Sequence, residues 1–485
     1  MNYRMISKLL AVVLQFATIF MVPALAISIM NGETAAVYGF LIAMAVMLVL
    51  SLLPRLYKLK RQTMFARDGY VLVTLTWLIL SLLSALPFWI SRAIPSYVDC
   101  FFEVVSGYTT TGASILSDVE ALPKGLLYWR SFTHWLGGMG VLVFLLAITR
   151  FTEGAGDGMH IMRAESPGPQ VSKLVPHTFR SAQILYVIYI VLTAVQTILL
   201  LAGGMNFLEA VCIAFGTAGT GGFGVRNDSM ASFSPYIQWV VTIFMALFGV
   251  NFGIYYLLLL RSFRKAFRNE ELWMYVGILA IASVAIFLNI LPSMPGQPAE
   301  AFRHSCFQVA SVMTTTGYGT VDFNLWPQFS KTILIMLMLV GASAGSTGGG
   351  IKVSRVLILI KCLFREIHRM LHPNTVRQIH MDGEPVQREA IRNAYAFLTV
   401  YCLLFVGSVL LVSVDNFSFE TNVTGVLACL NNIGPGLDQV GPTSNFSAYS
   451  NFSKIVLSVD MLLGRLEIFP IIITCMPSVW KRARV

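Results

Sequence analysis

Four short stretches of the chain gather hydroxyls and glycines amid strongly apolar sequence: TTTGAS at 109–114, AGTGGFG at 218–224, TTTGYG at 314–319 and NNIGPG at 431–436. Glycine tolerates left-handed backbone, so residues in such loops can turn successive carbonyl oxygens to one side. Carbonyl oxygens collected from several loops can replace the water shell of a desolvated cation. The anchoring glycines Gly112, Gly221, Gly317 and Gly434 are separated by 109, 96 and 117 residues, which reads as an internal fourfold repeat.

Each loop follows a half-length apolar segment: 97–108, 207–217, 301–313 and 419–430. About 12 residues cannot cross roughly 30 Å of hydrocarbon, so these segments read as re-entrant half-helices. Entering from outside, each would point the negative pole of its dipole at a shared centre. Longer apolar runs predict ten membrane spans at 9–30, 36–53, 69–90, 126–149, 181–203, 236–260, 272–292, 331–360, 391–414 and 454–479. The first, preceded by Arg4 and Lys8, is too long for a cleaved signal peptide and reads as an anchor. The expected fold is therefore an all-α integral membrane protein. A two-helix leading segment (1–68) precedes four units of span, half-helix, loop and span at 69–150, 151–268, 269–365 and 366–485. The third unit carries a broken second helix.

Composition agrees with this class. The chain has 485 residues, 56% hydrophobic and 12% charged, against about a quarter charged in soluble proteins. Barrel strands would instead alternate polar and apolar residues. Basic residues cluster in the even connections (Arg55, Lys58, Lys60, Arg61 and Arg67; Arg150, Arg163, Lys173 and Arg180; Arg261, Arg264, Lys265 and Arg268; Arg365, Arg369, Arg377, Arg388 and Arg392) and in the tail (Lys481, Arg482, Arg484). The odd connections hold acids: Glu33, Asp99, Asp118, Glu120, Glu209, Asp228, Asp322, Asp415 and Asp438. The positive-inside rule then places both termini in the cytoplasm, and the net charge of +10 reflects topology rather than a nucleic-acid partner. Seven scattered cysteines without a CxxC pair signal neither disulfides nor zinc.

GASAGSTGGG at 341–350 falls inside an expected span, where so many small residues cannot sustain a uniform helix. It reads as a movable loop, with Gly341, Gly345, Ser346, Thr347, Gly348, Gly349 and Gly350 as gate residues. Close helix packing through small residues is the alternative. Arg465 sits about a dozen residues into the last span, where a charge faces either a pore or a partner such as Asp460 or Glu467. Arg130 and His134 are expected to tie a half-helix carboxylate such as Glu103. Asn251 either lines the path opposite the gate or bonds between helices. His368 and His372 belong on a solvated cytoplasmic helix. No set of nucleophile, base and oxyanion donors suggests an enzyme.

With these residues in hand, the chain resembles the Trk/Ktr/HKT superfamily of potassium transporters, most closely the TrkH type. Thr315-Thr316-Gly317-Tyr318-Gly319 is one substitution from the TVGYG filter of potassium channels. The resemblance is also carried by WRSFTHWLGG at 129–138, Gly341–Gly350 and Gly464-Arg465-Leu466-Glu467. It implies potassium-binding filter residues at Thr110, Thr111, Gly112 and Ala113; Thr220, Gly221 and Gly222; Thr315, Thr316, Gly317 and Tyr318; and Ile433, Gly434 and Pro435. With Ala113 and Pro435 in place of Tyr318, the quadrants should coordinate an ion less evenly than a fourfold tetramer. The resemblance further implies potassium uptake across a bacterial inner membrane, with potassium as substrate and no bound cofactor. Arg465 becomes a pore-lining barrier beneath the filter. The expected partners are a second copy in a homodimer and a cytosolic nucleotide-binding ring of the TrkA type. A potassium symporter coupled to protons or sodium is the alternative, for which Glu467 and His134 are the only coupling groups in view.

Overall fold

The computed structural model describes residues 2–56, 65–140, 178–375 and 377–480. Lys58, Lys60, Arg61, Arg150, Arg163, Lys173, Lys481, Arg482 and Arg484, and the later part of the expected span 126–149, lie outside them. Among the described residues, six helices are long and apolar enough to cross a membrane: Tyr3–Met30, Thr34–Leu52, Arg67–Ile90, Gln183–Ala202, Glu270–Ser293 and Arg388–Asp415. A short antiparallel hairpin pairs His380–Met381 with Glu384–Pro385.

The four short helices form where the sequence places them: Tyr97–Tyr108, Phe207–Ala218, Pro298–Met313 and Phe419–Leu430. Three start on a polar cap, since Ser96, Asn206 and Ser418 accept from the amides of Asp99, Glu209 and Thr421. Such caps satisfy amides that a helix start leaves unpaired. The third starts on Pro298, whose missing N–H and fixed φ suit that position.

Each short helix packs against at least three other helices. Tyr97–Tyr108 touches Ala66–Ser84, Lys124–Gly138 and Asn451–Arg465, whereas Phe207–Ala218 touches Thr178–Ala202, Pro235–Phe248 and Lys124–Gly138. Pro298–Met313 meets Glu270–Ile290, Gln328–Val340 and Pro235–Phe248, and Phe419–Leu430 meets Arg388–Val412, Asn451–Arg465 and Gln328–Val340.

Three expected spans are interrupted. The break inside 331–360 was foreseen: helix ends at Val340 and resumes at Val353. The spans 236–260 and 454–479, expected to be continuous, are broken as well. Pro235–Phe248 and Phe252–Leu259 meet at 87° across Gly249-Val250-Asn251, where Asn251 caps the second piece by accepting from the Gly253 amide. The last span stops at Arg465, passes through Glu467 and Ile468 at positive φ, and restarts at Phe469 with Pro470 in its first turn. These breaks are weakly signalled because a capping Asn and one proline barely alter the hydropathy.

The leading helix Tyr3–Met30 lies against Lys124–Gly138. Their contact is so close that a Cβ added at Gly125 would fall 2.6 Å from the Ala24 carbonyl oxygen. We therefore expect Gly125→Val to force these helices apart, costing about 1–3 kcal/mol. Thermal unfolding of the purified protein checks this, with a lowered midpoint as the expected result.

Candidate functional site

The four loops share one backbone signature. Left-handed residues alternate at Thr110 and Gly112, Thr220 and Gly222, Thr315 and Gly317, and Asn432 and Gly434. In each loop one amide bonds back five residues into its own short helix: Thr111 to Ser106, Gly221 to Gly216, Thr316 to Ser311 and Ile433 to Ala428, at 2.8–2.9 Å. Carbonyls orphaned at a helix C-terminus thereby receive the loop amides, as in Schellman-type endings. This register corrects the alignment read from sequence. The counterpart of Gly112, Gly317 and Gly434 is Gly222, not Gly221, because only the second of the two adjacent glycines has positive φ.

The same glycines press against the neighbouring loops. A Cβ at Gly112 would lie 2.0 Å from the Gly221 carbonyl oxygen, and one at Gly222 would lie 1.9 Å from that of Thr316. At Gly317 it would meet the Ile433 oxygen at 2.2 Å, and at Gly434 the Thr111 oxygen at 2.8 Å. The four loops thus touch in a closed circuit, and none of these positions has room for a side chain. All four glycines, with Ala113 and Pro435, line one cavity of about 110 Å³.

Behind the loops lies a layer of buried polar clamps. The Glu103 carboxylate accepts from Arg130 Nε at 2.6 Å, from the Ser114 hydroxyl at 2.9 Å and from the Ile115 amide at 2.9 Å. Arg130 reaches on to the Gly224 carbonyl at 3.1 Å, and its guanidinium lies 3.5 Å from the Phe223 ring centroid. The expected tie between Arg130 and Glu103 is therefore present. His134 does a different job: its Nδ1 lies 2.7 Å from the Gly107 carbonyl oxygen, and its Nε2 accepts from the Phe223 amide at 3.3 Å. Those two bonds set the proton on Nδ1 and stitch the first short helix to the second loop. The Tyr318 hydroxyl donates to the Ile213 carbonyl at 3.2 Å, and the Asn432 amide donates to Thr111 Oγ1 at 2.9 Å. On the outer rim, Asp438 accepts from the hydroxyls of Ser418 and Thr421, which hold its carboxyl below the usual range.

The segment 341–350 crosses close to these loops. Gly349 N–H donates to Thr315 Oγ1 at 2.7 Å, and a Cβ at Gly349 would lie 2.3 Å from the Asn431 carbonyl oxygen. Gly341, Gly345 and Gly350 have positive φ, while Ser346 Oγ donates to Ser343 O and accepts from the Gly348 amide. Arg465 Nη1 donates to the Thr347 carbonyl at 2.8 Å and to Thr110 Oγ1 at 3.3 Å, and Nη2 donates to the carbonyls of Gly137 and Gly138. Of the two carboxylates weighed as its partners, Asp460 accepts from Ser408, and Glu467 accepts from Arg355. Asn251 faces the segment, 3.1 Å from where a Gly345 Cβ would sit.

Three charged residues here escaped the sequence reading. Lys352 is buried and donates to the Gly348 carbonyl, Arg355 pairs with Glu467, and Glu271 accepts from the amides of Ala344 and Ser354. Their signal was available, since charges flanking a glycine run inside an apolar chain imply buried partners. The His368 and His372 rings lie 4.9 Å apart between centroids, tilted by 53°, and no group of three metal-ligating side chains occurs among the described residues.

The model of the TrkH cation transport protein family matches residues 37–482. The chain belongs to the TrkH family. The Trk system potassium uptake protein TrkH of Escherichia coli K12 is 36% identical over 428 residues, covering 86% of each chain. The protein of that name in Halomonas elongata is 32% identical over 493 residues, covering 99% of this chain and 100% of the relative. The crystal structure of the potassium transporter TrkH from Vibrio parahaemolyticus superposes with a TM-score of 0.88 at 30% identity, over 99% of this chain and 100% of that one. The family is one of cation transporters, and this chain has their multi-helix membrane architecture.

The clamp layer is directly testable. Arg130→Met leaves the buried Glu103 carboxylate without its cation and should cost about 3–5 kcal/mol. Adding Glu103→Gln should recover a large part of that loss, because the uncompensated charge disappears. Melting midpoints of the three proteins report both effects, and equal midpoints for the single and double variants would contradict the assignment.

Proposed function

We propose that the chain takes up potassium through a pore on which the four loops converge. One observation carries the reading: Gly112, Gly222, Gly317 and Gly434 line a single cavity while each abuts the next loop. Alternating left-handed residues turn neighbouring carbonyls the same way, and amides already bonded to the short helices leave those oxygens free for an ion. The filter comprises Thr110-Thr111-Gly112-Ala113, Thr220-Gly221-Gly222, Thr315-Thr316-Gly317-Tyr318 and Ile433-Gly434-Pro435. Recurrent packing of each short helix among at least three other helices supports four pseudo-fourfold-related units, 69–150, 151–268, 269–365 and 366–485, behind a leading segment at 1–68.

Gly341–Gly350 acts as the gate under this filter, and Arg465 is the cationic barrier that pins it. Their bonds to Thr347, Thr110 and Thr315 support that role, because they join gate and filter directly. A channel-like pore is favoured over symport: His134 and Glu467, the coupling groups considered, are both engaged in structural bonds. The protein works in the bacterial inner membrane with both termini cytoplasmic, as a homodimer controlled by a TrkA-type nucleotide-binding ring. It needs no cofactor of its own.

Purified protein in liposomes provides the test. Potassium or rubidium uptake should follow the potassium gradient and voltage alone. Dependence on an imposed proton or sodium gradient would establish coupling instead. Gly317→Ser adds a side chain where a Cβ would sit 2.2 Å from the Ile433 oxygen, so discrimination against sodium should fall. Unchanged permeability ratios would remove that loop from the filter. Arg465→Ala should raise partner-free uptake by removing the barrier and its bond to Thr347, whereas an unaltered rate would make the residue structural only.

A further inference from the structure

We propose that the Glu271 carboxylate is the latch of the glycine loop: it holds the loop in its observed position and sets how readily the loop leaves. The proposal rests on the reading of Gly341–Gly350 as the gate.

Glu271 is only 3% exposed and lies in the first turn of the helix Glu270–Ile290. Its Oε1 accepts from the Ala344 amide at 2.7 Å and from the Ser354 amide at 3.2 Å. Ala344 is inside the loop, and Ser354 belongs to the first turn of the helix Val353–Leu371 that follows it. A single carboxylate oxygen therefore bridges the break, fixing the loop to the helix on its far side. Negative charge is favourable at that second helix start, whose amides carry the positive end of the dipole.

The surroundings fit a latch more closely than a general structural ion pair. Lys352 gives its ammonium to the Gly348 carbonyl within the loop, and the Asn251 side chain faces the same loop at Gly345. The mount is rigid: Asn269 caps the Glu271 helix and donates to Asp382 Oδ2 at 2.9 Å, while the Glu270 amide donates to Asp382 Oδ1 at 2.7 Å. The hairpin around Asp382 thus fixes the end of the helix that carries the latch. The other groups outside 341–350 that bond to it are backbone groups, a hydroxyl and the cations Lys352 and Arg465, so among the described residues Glu271 is the one anion that holds it.

The test compares partner-free uptake in liposomes for the parent protein, Glu271→Gln, Ser354→Pro and a Gly345–Gly350 deletion. Hydrogen bonds to a charged group, once weakened, shift a two-state balance by roughly tenfold, and Glu271→Gln should raise uptake on that scale. Discrimination between potassium and sodium should stay at the parent value, which a merely structural loosening of the site would not preserve. Ser354→Pro removes one donor from the first helical turn, where proline is tolerated, and should raise uptake by less. It carries the test if Glu271→Gln does not fold. A deletion that raises uptake beside latch variants that do not would overturn the latch and leave the gate standing. Failure of the deletion itself would overturn the gate and the latch with it. Raised uptake with lost discrimination would move Glu271 to support of the filter and also overturn the proposal.

Discussion

Peptide groups released from helices at bilayer depth have no water to bond, and lipid offers no substitute. Four short helices ending inside the protein each leave orphan carbonyls, and four loops leaving them carry amides in need of acceptors. The structure joins the two shortages. Thr111, Gly221, Thr316 and Ile433 each return an amide to the carbonyl five residues earlier, and the chain must then turn through left-handed conformations at the flanking positions. Once the amides are spent on the helix ends, carbonyls are the groups left over. A surplus of acceptors at the meeting point of four loops is a surface for cations and for nothing anionic.

The same constraint explains the polar layer behind the loops. Loops in contact through backbone cannot be fixed by side-chain interdigitation at the contact, since a Cβ would collide there. Rigidity has to be supplied from behind, and it differs from loop to loop. The first and second loops are tied by Arg130 and His134, the third loop to the second and its short helix by Tyr318, and the fourth and first by Asn432. Burying Glu103 and Arg130 together carries a desolvation cost that only dense hydrogen bonding offsets. Ser114, Ile115 and Gly224 supply those bonds, and each of them also orients a loop.

Much of this was legible in the sequence because glycine and hydroxyl runs are conspicuous in an apolar chain. The short helices, their loops, the break after Val340 and the Arg130–Glu103 tie all followed from residue type and spacing. What escaped has a common cause. Composition could not decide between Gly221 and Gly222, because the choice depends on φ, which the contact with Thr316 selects. The breaks at Asn251 and Ile468 escaped because one cap and one proline alter backbone direction without altering hydropathy. Glu271, Lys352 and Arg355 escaped because their partners are backbone groups or distant in sequence, so no short-range pattern announced them.

The broken helices also constrain how the proposed gate could move. Gly249 and Gly345 carbonyls, freed by two different breaks, accept from Ser343 and Phe252 at 3.1 and 3.0 Å, so each interruption satisfies the other. Arg465, the last residue before a third break, accounts for the Thr347 carbonyl. If the segment shifted by one residue at a time, these partners would be stranded singly in a low-dielectric interior, each at a cost of about 1–3 kcal/mol. Moving as a unit into a wetted cavity exposes all of them to water together. For the proposed gate, the interlocking of the breaks therefore favours two discrete arrangements over gradual deformation, and a two-state element of this kind is one that a regulator could bias.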